Sequence, residues 1–389
     1  MNLASLTDHL RRGGGATLNH PATYAVAAGA IIAPARYAGR SGSEFVFEQR
    51  WIDGEFRTTT LIDSKGSQSN RSEDGLLAAR RNGSAATRIP TIQVVYPGRR
   101  LLDLELPHRA FDAHVRAGAR DGAPVVGQAW YRALRDATAA NLSAVFTASP
   151  ATLAFGGWDS SRKQGQLRLR SLYVSELFGV VSEDERRRLS RRSGARLDPL
   201  GQDFHVSLDE FERLLAGQRE HMSENTVKKL DAKLAKARKG KVGTTLSAAD
   251  LGLGGIPPGL ETAYGVSVPE VRRARTYSLA GLRRLRFGGA EQDDIAARRA
   301  LLAMLLLGAA YADADPEIRA YCDVAAPRGS LFLDDAELDV EVSIDACEAF
   351  LAGAVAALPE RLAWTGQTIV VEGDASLERG VIAVADDDD

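Results

Sequence analysis

The chain is short of sulfur, of aromatic side chains and of long hydrophobic runs. Cys322 and Cys347 are its only cysteines, with no CxxC spacing and no nearby histidine pair. That excludes a disulfide scaffold and a cysteine-based zinc site, and it fits a reducing, cytoplasmic setting. The longest apolar run, 300–312, falls short of the roughly 20 residues a membrane crossing needs, so it reads as a buried core helix and no membrane partner is expected. The first twelve residues are charged and lack an apolar segment, which is not the pattern of a secretory signal. Catalytic signatures are missing as well: no GxSxG, no HExxH, no Walker A loop, no convincing carboxylate pair. GLGG at 252–255 has no strand before it and no acid about 20 residues on, as a dinucleotide site would. No catalytic residue, metal or cofactor is expected, and the chain does not read as an enzyme.

Net charge also looks absent, at −2, until it is divided along the chain. Residues 313–389 hold 19 acids against four arginines, a net of −15. The other 312 residues hold 45 lysines and arginines against 32 acids, a net of +13. A basic body with an acidic end is a footprint of nucleic-acid binders, although unevenly spread surface charge gives the same count. The closing ADDDD, with 386–389 all aspartate, reads as a solvated acidic tail.

Strands and helices alternate without a regular βαβ array, so the fold class is α+β. Residues 44–62 read as a β-hairpin turning at Asp53-Gly54. A helix is expected from about Gln68 to Arg81, stopped by Asn82-Gly83. LLDLEL (101–106), ATLAFGG (151–157) and QLRLRSLYV (166–174) suggest strands, and 109–118 and 127–145 suggest helices. From 183 to 241 charges dominate and aromatics nearly vanish, which marks a helical insertion separate from the body at 1–182 and 242–385. A Gly/Pro loop at 246–260 precedes basic, strand-like 268–287. Helices at 291–312 and 344–357 and strand-like TIVVEG and GVIAVA follow.

Four clusters could carry binding chemistry. DSKGSQSNRSED (63–74) gathers Lys65, Gln68, Asn70 and Arg71 at a strand-to-helix corner. Helix N-termini bind anions, and a lysine, an arginine and two amides beside one suit a phosphate backbone. Asn70 followed by Glu73 also fits a plain capping pattern, which would not need the other three. In HRAFDAH (108–114) the two histidines lie on different helix faces and do not make a metal site. Arg109 is either a phosphate contact or part of a solvated helix start. FGGWDSSRKQGQLRLR (155–170) puts Trp158, Ser160, Arg162, Lys163, Arg168 and Arg170 beside a glycine corner. That mixture of stacking surface and cations suits single-stranded RNA, while Trp158 alone could equally be core. VKKLDAKLAKARKGK (227–241) places Lys229, Lys233 and Lys236, with Lys239 beyond them, opposite Val227, Leu230 and Leu234. Either these lysines meet a polyanion or they form an ordinary solvated face. A fifth basic stretch, PEVRRARTYSLAGLRRLRFGG (269–289), could belong to the same channel.

Taken in order, DSKGSQSNRSE, HRAFDA, FGGWDS with RLRSLYVSEL, and SLAGLRRLRFGG before an Ala/Leu-rich helix resemble the backbone subunit of the CRISPR Cascade complex of subtype I-G, formerly I-U, in the RAMP superfamily. The resemblance runs from about 45 to 312. It implies an RRM-like (ferredoxin-like) palm carrying finger and thumb insertions. Copies would stack head to tail along CRISPR RNA, beside an RNA-end-capping subunit and a large subunit, and present the guide for pairing with target DNA. On that reading the donors at 65–71, with Arg109 and the 158–170 cluster, grip guide RNA, and the lysine helix faces target DNA. The same superfamily includes RNA-cleaving members, so an endoribonuclease that processes CRISPR RNA is the alternative.

Overall fold

The computed structural model describes residues 2–27, 29–39, 42–159, 167–190, 193–194, 205–240, 244–253, 259–260 and 265–378. They form two compact units, one of Met1–Arg188 with Val266–Val381 and the other built on Leu189–Gly265.

The larger unit is organised on an antiparallel sheet. Its strands are β1 (Thr17–Asn19), β2 (Phe47–Ile52), β3 (Glu55–Asp63), β4 (Tyr173–Val180), β5 (Glu270–Ser278) and β6 (Leu331–Leu333). The order across the sheet is β6-β1-β5-β4-β3-β2, with Ala336–Leu338 outside β6. Helix α1 (Lys65–Arg81) follows β3, and α2 (Glu291–Ala314) follows β5. Setting aside the β2–β3 hairpin as an addition at one edge, four strands remain in the spatial order fourth, first, third, second, with a helix after the first and another after the third. That is the ferredoxin-like βαββαβ arrangement, and the α+β, RRM-like expectation holds.

Local chemistry explains the pieces. Asp53 (φ +53°) and Gly54 (φ +88°) both take the left-handed conformation that a two-residue hairpin turn requires, so Trp51 faces Phe56 across the hairpin. In β5 the residues Val271, Arg273, Arg275 and Tyr277 are buried, alternating with more exposed ones as a one-sided strand should. Helices α1 and α2 cross where two glycines meet: a Cβ on Gly75 would run into the carbonyl oxygen of Gly308. Helix α2 is long and apolar enough to cross a membrane, yet 78% of its most apolar window is buried within the protein, as a core helix should be. A second, five-stranded sheet pairs Thr91–Val95 in parallel with Thr368–Glu372 and shares the core with α2 and the helix Ile344–Ala356.

Some elements differ from the sequence reading. ATLAFGG is not a strand: Pro150–Ala154 is a short helix with proline in its first turn, ending in a glycine corner at Gly156 (φ +92°). All five helix residues are buried, and a run buried on every side carries no period to separate helix from strand. The strand expected at 166–174 begins only at Tyr173. The strand at 101–106 stops at Leu102, where the chain turns to bury Asp103. The helices at 109–118 and 127–145 are broken into Ala113–Arg116, Ala129–Arg135 and Ser143–Ala148. GVIAVA and the tail at 386–389 lie outside the described residues.

The second unit holds the helices Leu208–Gln218 and Glu224–Arg238 packed through Phe211, Leu215, Leu230 and Leu234. It reaches past 241, because Thr245–Ser247 pairs with His205–Ser207 and both Leu246 and Leu251 join that core. The charge pattern marked the helices and missed the strand that closes them.

Candidate nucleic-acid interface

Helix α1 begins at Lys65, three residues earlier than expected, because Ser64 and not Asn70 caps it: Ser64 Oγ accepts from the Ser67 amide at 3.3 Å. The whole SKGSQSNR segment therefore lies in the first two turns, and helical period divides its donors. Lys65 and Asn70 point outward and are exposed, while Gln68 points inward and is buried.

The inward donors serve a buried carboxylate. Asp63, at the end of β3, has no exposed surface and accepts from Gln68 Nε2 (2.7 Å), Arg71 Nε (2.8 Å) and Arg319 Nη2 (3.0 Å). Gln68 uses its other end as well, accepting from Ser175 Oγ on β4 at 3.0 Å. The remaining guanidinium nitrogens of Arg71 donate to the carbonyl oxygens of Glu317 and Ile318. A buried carboxylate demands such partners. Gln68 and Arg71 thus tie β3, α1 and the 317–319 segment together, and the fork expected to grip phosphate is already filled.

Arg109 is likewise turned inward. It is 8% exposed, with φ +51°, and donates to Glu73 Oε1 (2.6 Å) on α1 and to the Gly156 carbonyl (2.9 Å) at the glycine corner. Its guanidinium also lies 5.5 Å from the centre of the Phe155 ring. Two of the sequence clusters, 63–74 and 155–170, meet through this one arginine.

They meet at the floor of a cleft of about 690 Å³ lined by Lys65, Ser69, Asn70, Asp74, Glu105 and Val174, with Glu73 and Arg109 below. The cleft is not a basic trough. Glu73, Asp74 and Glu105 outnumber Lys65 and Arg109, and Lys65 Nζ is itself 3.9 Å from Glu176. Burial pushes the Glu73 carboxyl up from 4.5 to about 7, against the pull of Arg109. What the cleft offers is hydrogen-bonding groups of both kinds and one exposed ammonium.

The raised Glu73 carboxyl makes stability depend on pH. Folding disfavours its ionised form, so its contribution is complete below about 4.5 and is lost as pH rises through about 7. Glu73→Gln keeps an acceptor for Arg109 and removes the titration. The stability of the wild type relative to this variant should fall by about 1–3 kcal/mol between pH 5 and 8. Denaturant melts across that range check it, and a difference that stays flat contradicts it. Asp103, which burial raises to about 6 in the same window, is present in both proteins, and its charge adds to the rise at Glu73.

Of the third cluster, Ser160, Arg162 and Lys163 lie outside the described residues. Trp158 is 36% exposed, with Arg168 4.9 Å from its ring centre and His108 edge-on at 6.1 Å. Arg170 is exposed and donates to Ser278 Oγ at 3.1 Å. The palm's open face, opposite the helices, carries Thr276, Ala274 and Arg272 on β5 and Thr17 and Asn19 on β1. Its aromatics are Phe178, buried beneath Arg50 4.3 Å away, and Phe332 on β6, half-buried opposite Asn19. Exposed rings stand instead at the hairpin tip, where Trp51 (65%) and Phe56 (67%) meet edge to face. Sequence reading missed this pair, although aromatics flanking a two-residue turn were the signal for it. In the second unit Lys229, Lys236 and Lys239 are exposed, whereas Lys233 pairs with Asp250.

Residues 18–183 match the family described as CRISPR-associated protein GSU0053. The similarity supports a CRISPR-Cas association. It covers β1 to β4, α1 and the whole cleft lining, and less than half of the chain. No curated protein matches.

Proposed function

We propose that the chain is a non-catalytic, guide-RNA-binding backbone subunit of a type I-G Cascade complex, a RAMP-superfamily scaffold. One observation carries the reading: a ferredoxin-like palm whose open, hydrogen-bonding cleft over the first turns of α1 lies wholly in the part of the chain that is similar to a CRISPR-associated family. The cleft's mixture of carboxylates, hydroxyl, amide and ammonium suits riboses and base edges, with Lys65 for a phosphate. Lys65, Ser69 and Asn70 are the RNA contacts, and Gln68, Arg71 and Arg109 build the wall behind them. Other copies of the chain, the remaining Cascade subunits and target DNA are the partners of this proposal, the last through Lys229, Lys236 and Lys239.

Purified protein should carry RNA of spacer length, visible as excess absorbance at 260 nm, and should leave repeat RNA intact on incubation. Lys65→Glu with Asn70→Ala should lower the RNA content without moving the melting temperature. RNA-free protein whose variant is indistinguishable from wild type would overturn the reading. Cleavage of repeat RNA would favour the nuclease alternative.

A further inference from the structure

A single-stranded nucleic acid brings a negative charge per nucleotide, and the α1 cleft has more carboxylates than cations with which to meet it. The charge lies elsewhere in the same unit. The stretch 269–289 holds six arginines that the sequence could not sort; the structure leaves Arg284 exposed and sorts the other five into two sets. Arg272, Arg273 and Arg275 are held by Asp53 and Glu270 or by Asp313. Arg283 and Arg286, after the turn of helix Leu279–Leu282, line a second cleft of about 550 Å³ with Arg12, Arg298, Glu291 and Asp294.

Four guanidinium groups face two carboxylates there, and one carboxylate is already committed. Asp294 is 3% exposed and accepts from the Phe287 amide (2.8 Å) and Arg298 Nη2 (3.2 Å). Arg298 is 1% exposed, and the rest of its fork is spent on the Leu10 and Leu285 carbonyls. Arg283 is anchored through one nitrogen, Nη1, to the His9 and Gly15 carbonyls. Arg286 donates through Nη1 to the Arg283 carbonyl (2.8 Å), its Nε lies 3.7 Å from Asp294, and its side chain remains 52% exposed. Arg12 is exposed. The buried pair fixes the floor, and the surplus charge stands at the rim on Arg12, Arg283 and Arg286. Arg170, bonded to Ser278 at the end of β5, stands where that strand passes into this stretch.

We propose that this arginine cleft is a phosphodiester-binding site distinct from the α1 cleft, taking the backbone of a nucleic-acid strand. Guanidinium forks held at one end and open at the other suit phosphate oxygens bidentately, and they read no sequence. The proposal rests on the nucleic-acid reading of the protein and adds a second place of contact to it.

Arg12→Ala with Arg286→Ala tests it while sparing Arg283 and Arg298, which hold the N-terminal segment in place. Fluorescence anisotropy with labelled single-stranded RNA and DNA of one 30-nucleotide sequence is the readout, over a salt series. Binding should weaken at least about tenfold, and the salt slope should flatten by about 1.4 for two lost contacts. Loss confined to RNA assigns the strand as guide, and loss confined to DNA assigns it as target. The lysine pair, Arg12→Lys with Arg286→Lys, should recover most of the slope. Unchanged affinity for both strands overturns the proposal, as does a lysine variant no better than alanine. So does loss of self-association without nucleic acid in light scattering, which would make the cleft a protein contact. Lys65→Glu with Asn70→Ala separates the two readings: weaker binding there with none lost at the arginines sinks this site alone.

Discussion

Asp313→Asn should bring the larger unit close to unfolding. Arg273 and Arg275 project from β5 toward α2 with side chains 0% and 2% exposed, and Asp313 receives both, at 2.5 and 2.8 Å. Arg273 also donates to the Tyr24 hydroxyl at 3.0 Å. Two buried cations already share one anion, so neutralising that anion leaves both uncompensated. Breaking one buried pair costs about 3–5 kcal/mol, against a total stability of about 5–15 kcal/mol for a domain. A variant whose unfolding free energy stays within about 0.5 kcal/mol of the wild type would refute this account.

The same cluster should make the protein acid-sensitive. Burial would raise the Asp313 carboxyl, but Arg275 and Arg273 outweigh it and hold it below its usual 3.8. Its contribution is present above about 3.8 and is lost as pH falls through its lowered value. His20, beside them, is pushed from 6.5 to about 3, first by burial and then by Arg273 and Arg275. Its neutral form belongs to the folded state, so stability is complete above 6.5 and drains away as pH falls toward 3. Near-ultraviolet dichroism of the buried Tyr24, Tyr173 and Tyr277 follows the loss.

Arg71→Ala should lower stability by about 2–3 kcal/mol, which for a domain of this size moves the melting temperature by about 4–12 °C. Its guanidinium bonds to Asp63 and to two carbonyls, while Arg319 and Gln68 keep Asp63 partly compensated. Arg71→Lys should recover little, because one ammonium cannot span three acceptors. RNA affinity, measured on the fraction still folded, should hold. Lys65→Glu should do the reverse: its side chain is 65% exposed, so folding is spared and RNA is lost. If Arg71→Ala instead lost RNA at an unchanged melting temperature, the inward role assigned to it would be wrong.

These arginines mark what the sequence does and does not disclose. Periodicity and turn chemistry are local, and they placed the 47–63 hairpin, β5, α2 and the Ile344–Ala356 helix. The corner at 63–74 was also found, because hydrogen-bonding residues clustered between a strand and a helix are a local signal. Whether each donor pointed outward was not local. Arg71 finds carbonyls at 317 and 318, Arg109 finds Glu73 36 residues away, and Arg275 finds Asp313. A buried arginine and an exposed one look alike until the chain has folded. The arginine cleft was legible only as composition, since Arg12 reaches it from near the start of the chain and its other members from 283–298.

The connection between β4 and β5 has a consequence for engineering. Val180 pairs with Glu270, so the chain leaves the palm and returns to it across a single strand-to-strand spacing of about 5 Å. Between those two points stands a unit with its own core of Phe211, Leu215, Leu230 and Leu234. Such a segment is a cassette. Its bounds are Leu189 and Gly265, because Val181, Val266 and Val268 still belong to the core of the larger unit, so an exchange of inserts should keep those three valines.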